Sequence, residues 1–433
     1  MPLMASGVLQ LLFNAADVVV LGRFAGDNSM GAVGSTTALI NLFTNLFIGM
    51  SVGVNVIAAR AHGANSLSDM QDAEHTAMLL SVICGGVLAV IGFVFAPQML
   101  VLMDATENQL PLAVIYLRIY FLGMPSSMVY NFGSSILRAV GDTKRPLYFL
   151  ITAGALNVGL NLLFVIALKM DVAGVALATI ISETVSAALT VICLIKEEGE
   201  IHLNLRKLRI KKRVLLSIMR VGLPAGFQGV IFSLSNVVIQ SSVNIFGDTV
   251  VSGNSAAQSI EGFIYMAMNT FYQAAISFTG QHVGAKKYKR IPRILLCAEL
   301  SVTVTGLVLG LSAYFFGRPL LGIYSQTPEV IDAGMRRLAI IVTTYALCGE
   351  MDVMVGMLRG LGYSIMPMFV SLIGACGLRI LWIATVFQIP QYHNITVVYL
   401  SYPITWAITL LTHIICYIIV WQKLKKRESE FFT

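Results

Sequence analysis

The chain has 433 residues, 57% of them hydrophobic and only 12% charged, with a mean hydropathy of +0.79 and a formal net charge of +7. Soluble domains carry about 25% charged residues, so a water-soluble fold is excluded, and length here counts membrane spans of about 20 residues. The positive balance is read as membrane topology rather than as a nucleic-acid surface.

Twelve apolar segments are predicted to span, with cores at 1–22, 30–57, 73–96, 109–135, 147–168, 172–195, 214–245, 252–280, 293–317, 329–357, 364–388 and 396–421. Each is apolar all round and longer than the roughly 10-residue alternating strand of a membrane barrel. Helices are therefore expected, because a helix satisfies its own backbone hydrogen bonds in hydrocarbon. The fold class is all-α integral membrane.

The first span has neither the basic leader nor the cleavage site of a signal peptide and is read as a retained helix. It starts abruptly, so a short cytoplasmic leader is expected to be missing ahead of Met1. Inside it, Asn14 and Asp17 stand three residues apart on one face. A carboxylate at bilayer depth costs roughly 2.5–3.5 kcal/mol on insertion scales and so marks a task. In the fifth span Asn157 and Asn161 share a face at a spacing of four. Carboxylate and amide oxygens are hard ligands suited to a hard cation, and a desolvated carboxylate also carries a proton readily. Asp17, Asn157 and Asn161 are thus the candidate Na⁺ ligands, and Asn14 joins them as a cation-coupling residue. The alternative for the two asparagines is interhelical hydrogen bonding that holds the bundle together. That spans one and five lie side by side is itself an inference.

Pro125, in span four, is a candidate kink. Glu183, in span six, has no visible partner. The basic stretch 196–213 is read as a cytoplasmic linker, its run Arg206–Arg213 solvated. Gly222-Leu223-Pro224 reads as a helix start. In span eight Glu261, Tyr265, Met268 and Tyr272 share one helical face. A carboxylate on a stripe of rings and thioether suits a lipophilic organic cation, by charge, cation–π attraction and adaptable shape. A buried acid paired with a neighbouring helix is the alternative. Glu350 and Asp352, in span ten, complete the substrate-binding candidates or line a water-filled vestibule.

With the N-terminus inside, 22 of the 29 Lys and Arg fall on cytoplasmic loops; the others are Arg23, Arg118, Lys169, Arg318, Arg336, Arg337 and Arg379. This bias puts both termini in the cytoplasm, in a plasma or inner membrane. The six cysteines fall singly in or beside spans and imply no disulfide framework. No GxxxxGK[ST], HExxH or GxSxG occurs, so neither ATP hydrolysis nor an enzymatic site is expected. No cofactor is expected beyond a coupling ion, Na⁺ or H⁺. The expected partners are small organic substrates and the lipid bilayer, with no nucleic acid, and the chain is expected to be monomeric.

The chain repeats at an offset of 221 residues: Gly26-Asp27 and Gly63-Ala64 recur as Gly247-Asp248 and Gly284-Ala285, and Arg138, Gly141 and Pro146 recur as Arg359, Gly362 and Pro367. With one residue of slippage Pro2, Gly7 and Asn14 fall on Pro224, Gly229 and Asn236. Six spans per half give parallel repeats about an axis along the membrane normal. The expected domains are a six-helix lobe at 1–195, the linker 196–213, and a second lobe with a short basic tail at 214–433. The polar residues break the symmetry: Asp17 maps onto Ile239, Asn157 and Asn161 onto Leu378 and Trp382, and Glu261 onto Ile40.

Several motifs in this order resemble one family. They are Gln10-Leu11-Leu12-Phe13-Asn14-Ala15-Ala16-Asp17 with Gly22-Arg23, Gly49-Met50-Ser51-Val52-Gly53, Arg60-Ala61-His62-Gly63-Ala64 and Leu137-Arg138-Ala139-Val140-Gly141-Asp142. Asn157-Val158-Gly159-Leu160-Asn161, Gly280-Gln281-His282-Val283-Gly284-Ala285 and Leu358-Arg359-Gly360-Leu361-Gly362 continue the series. The chain resembles the multidrug and toxic compound extrusion (MATE) transporters over nearly its whole length. The resemblance implies two pseudo-symmetric six-helix lobes around a central cavity, and antiport of drug-like, mostly cationic compounds against Na⁺ or H⁺ by alternating access. It implies coupling by Asp17 with Asn157 and Asn161 beside it. Some relatives have an acid where this chain has Asn161, which leaves the coupling ion open. Other relatives place coupling acids in the second half, where Glu261, Glu350 and Asp352 are nearest. The alternative is a flippase for lipid-linked oligosaccharides on a related fold, which calls for an arginine-lined groove.

Overall fold

The computed structural model describes residues 2–24, 27–102 and 109–431, and among these there are helices and turns but no strand. Two compact units form, Met1–Val230 with Gly284–Lys286, and Ile231–Val283 with Lys287–Thr433. The first contains α1 (Pro2–Phe24), α2 (Asp27–Gly63), α3 (Leu67–Leu102), α4 (Leu110–Leu122), α5 (Met124–Ala139), α6 (Lys144–Asn161) and α7 (Asp171–Lys196). A π-helical turn, Leu162–Ala167, follows α6 directly. The division between the units falls inside α8 (Lys212–Asn244). The second contains most of α9 (Asp248–Gly284), then α10 (Ile291–Phe315), α11 (Gly317–Gly322), α12 (Pro328–Ile341), α13 (Ala346–Gly360) and α14 (Ile365–Ser371). It ends with a π turn at Leu372–Gly377, α15 (Leu378–Ala384) and α16 (Ile395–Phe431).

Among the described residues nine helices are long and apolar enough to cross a bilayer, and eleven spans result if each bent pair counts as one. The predicted twelve exceed this by the eighth, α9, which is 37 residues long but does not meet the same test of apolar length. Its run of Ser, Asn, Gln and Thr with Glu261 dilutes the hydropathy. Large side chains on the outer faces of the helices are bare, Val90 at 63%, Leu300 at 58% and Ile373 at 64% exposure. In water such faces would be sites of aggregation; lipid is their natural solvent. Each unit has its own apolar core. In the first, Leu88, Phe121, Met124, Met128 and Phe132 are fully buried. In the second, Met351, Met354 and Met357 pack with Phe387 and Tyr399.

The expected kink near Pro125 is present. The chain bends by 45° between α4 and α5, with the break at Gly123 and Pro125 in the first turn of α5. Gly222-Leu223-Pro224 is not a helix start, because α8 begins at Lys212 and carries Pro224 inside it. These glycines serve packing. A Cβ on Gly222 would stand 2.6 Å from the Cα of Met50, one on Gly226 would meet the carbonyl of Leu46, and one on Gly53 would meet the carbonyl of Ile218. Small residues thus let the backbones of α2 and α8 approach closely. Gly226→Ala is expected to destabilise the protein by about 1–3 kcal/mol through overpacking against backbone that cannot yield. Gly86→Ala, with nothing within 4 Å of the added carbon, is expected to be neutral. Thermal unfolding midpoints of the two variants in detergent check this.

The repeat is visible in the backbone. Gly141 and Gly362 both have left-handed φ, +91° and +89°, where a side chain would be strained. Gly26, which the repeat pairs with Gly247, lies outside the described residues. After Gly141, Asp142 Oδ1 accepts the backbone N–H groups of Lys144 (3.0 Å) and Arg145 (3.1 Å), which starts α6. The Arg145 guanidinium pairs with both Asp142 and Glu197 and so ties the start of α6 to the end of α7.

The basic segment between α7 and α8 is not a free solvated loop. Arg209 and Lys211 pair with Asp72 at 3.1 and 3.7 Å. The backbone N–H groups of His202 and Lys211 donate to Glu74 Oε2 (3.0 Å) and Thr76 Oγ1 (3.1 Å). Ile201 and Leu203 are buried. The segment is strapped to α3 at Asp72–Thr76, where its buried apolar residues alternate with the polar His202 and Asn204.

Candidate functional site

In the first unit α1 packs against α6, and α6 against α7. Three of the predicted coupling residues meet there. Asn161 is fully buried, at the last position of α6. Its amide nitrogen donates to Asp17 Oδ1 at 2.5 Å and to Asn157 Oδ1 at 3.1 Å. Asn157 donates in turn to Thr179 Oγ1 on α7 at 3.4 Å, and Thr179 donates to the Val175 carbonyl at 3.0 Å. Every donor in this chain points along it toward Asp17 or away to the backbone, which leaves Asn161 Oδ1 buried with no hydrogen-bond partner. A buried amide oxygen without a donor is costly. Beside a half-buried carboxylate it is an arrangement that a hard cation satisfies. The interhelical bonding considered as the alternative for the asparagines is present: Asn161 bonds Asp17 between α6 and α1, and Asn157 bonds Thr179 between α6 and α7.

The backbone supports the same position. Directly after Asn161 the helix widens into the π turn Leu162–Ala167. Such turns often sit at functional sites because they free local backbone groups and re-aim side chains. Among the described residues no group of three or more His, Cys, Asp and Glu could hold a metal ion. One carboxylate with amide oxygens instead suits a monovalent cation or a proton. Asn14 is exposed and is not part of the hydrogen-bonded chain. It lies one turn from Asp17, but Asn161 reaches Asp17 from α6 and not along α1. Glu183 lies one turn beyond Thr179 on α7, at a spacing of four.

The second unit places its candidates differently. Glu261, 5% exposed, is gripped by Arg337, itself 3% exposed. Arg337 Nε donates to Glu261 Oε1 at 2.8 Å and Nη2 to Oε2 at 2.7 Å. Arg337 Nη1 donates to Asn254 Oδ1 at 2.9 Å, and Asn254 donates to Gln240 Oε1 at 3.0 Å. The expected role of Glu261 as a free counter-charge for an organic cation is therefore corrected: both its oxygens are engaged by a guanidinium. Met268 is 1% exposed and packs against the glycine faces at Gly306 and Gly349, as core filling. Tyr272 receives a hydrogen bond from Arg359. Tyr265, the fourth member of the stripe, accepts from Asn269 Nδ2 on its own helix at 3.5 Å. Glu350 accepts from Thr303 Oγ1 at 2.6 Å. Glu350 and Asp352 are two residues apart and so cannot share a helix face.

Sequence reasoning missed the partners Thr179 and Arg337, and also Arg379. The arginines had a signal: an ionisable residue inside an apolar span needs a partner. Arg337 and Arg379 were instead counted only as residues off the cytoplasmic loops.

Comparison with known proteins bears on the family and the fold. The MatE family model matches residues 2–163 and again residues 224–385, the second match beginning 222 residues after the first. This is within one residue of the repeat offset read from the motifs. The "Probable multidrug resistance protein YoeA" of Bacillus subtilis (strain 168) is 26% identical over 98% of this chain and 92% of its own length. A protein of Shewanella oneidensis named "FAD transporter" is 23% identical over 95% of this chain and 90% of its own. A solved structure of an outward-facing multidrug resistance MATE family transporter of the MOP superfamily shares the fold with a TM-score of 0.92 at 21% identity, covering 98% of this chain and 95% of that one. With both halves matched by one family model, the chain belongs to the MatE family, a family of membrane transporters and not of enzymes.

Proposed function

We propose that this protein is a secondary active efflux transporter that exports drug-like organic compounds across the cell membrane in exchange for Na⁺ or H⁺, by alternating access, with both termini cytoplasmic. The observation that carries the reading is the unpartnered Asn161 Oδ1 in a buried chain ending on Asp17. A cation or proton arriving there neutralises the carboxylate and changes what the Asn161 amide must bond to. Asp17, Asn157 and Asn161 act as the ion site, and Na⁺ is substrate there, not a resident metal. Asp352 with Tyr265 is the remaining candidate for a substrate contact in the second half.

A second reading concerns the charge of the substrate. Arg379 is 3% exposed, stacks 4.0 Å from the Tyr402 ring centroid and donates to the neutral Thr405 hydroxyl at 3.1 Å, while its Nε has no partner. A buried guanidinium without a carboxylate favours substrates that carry an anionic group, and the relative named FAD transporter is consistent with this.

Substrate-evoked pH and Na⁺ fluxes in proteoliposomes, with each gradient imposed or removed, test the proposal. Ethidium is expected to be expelled only when one of the two gradients is present, and to evoke counterflow of that ion. Expulsion indifferent to both gradients overturns it. FAD supplied in the same assay decides the second reading.

A further inference from the structure

A groove of about 710 Å³ opens in the second unit between the C-terminal third of α9 and the first turns of α10. Phe271, Phe278 and Ile294 line its length, and Arg290, Arg293 and His282 stand at one end. From Phe271 to His282 α9 rises about 16 Å, at 1.5 Å per residue. That is close to the depth of one leaflet of a hydrocarbon core about 30 Å thick. The groove is thus apolar over a leaflet's depth and basic at a single end.

Among the described residues no ion pair compensates the charges at that end. Five of the eight residues 286–293 are Lys or Arg, and no acid lies between Glu261 and Glu299. In the segment before α8, where six of the eight residues 206–213 are Lys or Arg, two of the six, Arg209 and Lys211, are held by Asp72. Arg290 and Arg293 take part in no ion pair among the described residues, and both are exposed. His282 is engaged with its own helix through the Phe278 carbonyl at 2.8 Å, so the two arginines are the groups available to a ligand.

The geometry points to a binding site for one anionic phospholipid, its phosphate held by Arg290 and Arg293 and one acyl chain lying along Phe278 and Phe271. Apolar length and positive charge meet here in the order in which an acidic lipid presents chain and headgroup. Neither a soluble anion nor a neutral lipid uses both. This site is separate from the Asp17 chain and does not depend on which ion or drug is carried.

Native mass spectrometry of the full-length protein in an uncharged detergent tests it, with phosphatidylglycerol, phosphatidylcholine and inorganic phosphate as separate probes. Each basic residue near an anionic lipid strengthens binding roughly fivefold. The pair Arg290→Gln with Arg293→Gln is therefore expected to weaken phosphatidylglycerol binding roughly 25-fold, to the level of phosphatidylcholine. Arg290→Lys with Arg293→Lys is expected to keep most of the preference, and Phe278→Ala to weaken both lipids. Equal binding of the two lipids by the wild-type protein overturns the assignment, as does a glutamine pair that binds phosphatidylglycerol unchanged. Inorganic phosphate displacing the lipid at equal concentration also overturns it, because the chain would then contribute nothing.

Discussion

Asp17→Asn is expected to abolish coupled efflux while leaving the protein expressed and folded. The substitution is nearly isosteric, and an amide oxygen at Oδ1 still accepts the hydrogen bond that Asn161 donates to Asp17. What disappears is the charge that, in the proposed mechanism, draws a cation into the site. One elementary charge moving inward gains about 2.3 kcal/mol per 100 mV. At 1.36 kcal/mol per decade this sustains roughly a 50-fold substrate gradient. The gain is available when the exchange is net electrogenic, as for a neutral substrate or with a second coupled ion. A monovalent cation exchanged for one ion relies on the ion's concentration gradient alone. In everted vesicles given a membrane potential and an ion gradient, the variant is expected to hold a dye ratio near one where the wild-type protein builds a gradient. Unimpaired dye export by Asp17→Asn would remove the coupling role. An exposed lipid-facing acid would behave in that way, and the contact with the fully buried Asn161 argues against it.

Fold class was legible in composition, because a chain with 12% charge and long apolar runs has few folds open to it in lipid. The repeat was legible because turns with left-handed backbone demand glycine, and Gly141 and Gly362 hold the same φ in both halves. The span count was less so. Spacing alone treats α9 as one more span, whereas its polar residues exist to make contacts that a hydropathy window reads only as dilution. At the site, Asp17, Asn157 and Asn161 were visible as polar residues with nowhere else to go in an apolar helix. Thr179 was not, since hydroxyls are common in spans and satisfy themselves on their own backbone, as this one also does. The second-half stripe misled for a related reason. Helical spacing finds a shared face but not what packs on it, and the partner of Glu261 lies 76 residues away.

That pairing leads to the largest stability effect expected here. Glu261→Gln leaves Arg337 buried as an unpaired cation among Tyr399, Tyr402 and the second buried guanidinium, Arg379. Arg337→Met conversely strands the carboxylate. Either single change is expected to destabilise the protein by about 3–5 kcal/mol, because removing one partner of a buried pair leaves an uncompensated charge. The double variant Glu261→Leu with Arg337→Met removes both charges together. It is expected to recover most of the loss, since the desolvation of the two ions largely offsets their attraction. Unfolding midpoints in detergent read the first part, and dye export by the same variants in vesicles reads the second. If the pair only organises α9 and α12, the double variant is both stable and active. A double variant that is stable but no longer exports a cationic dye would restore Glu261 to the substrate site and make Arg337 the group that a bound cation displaces.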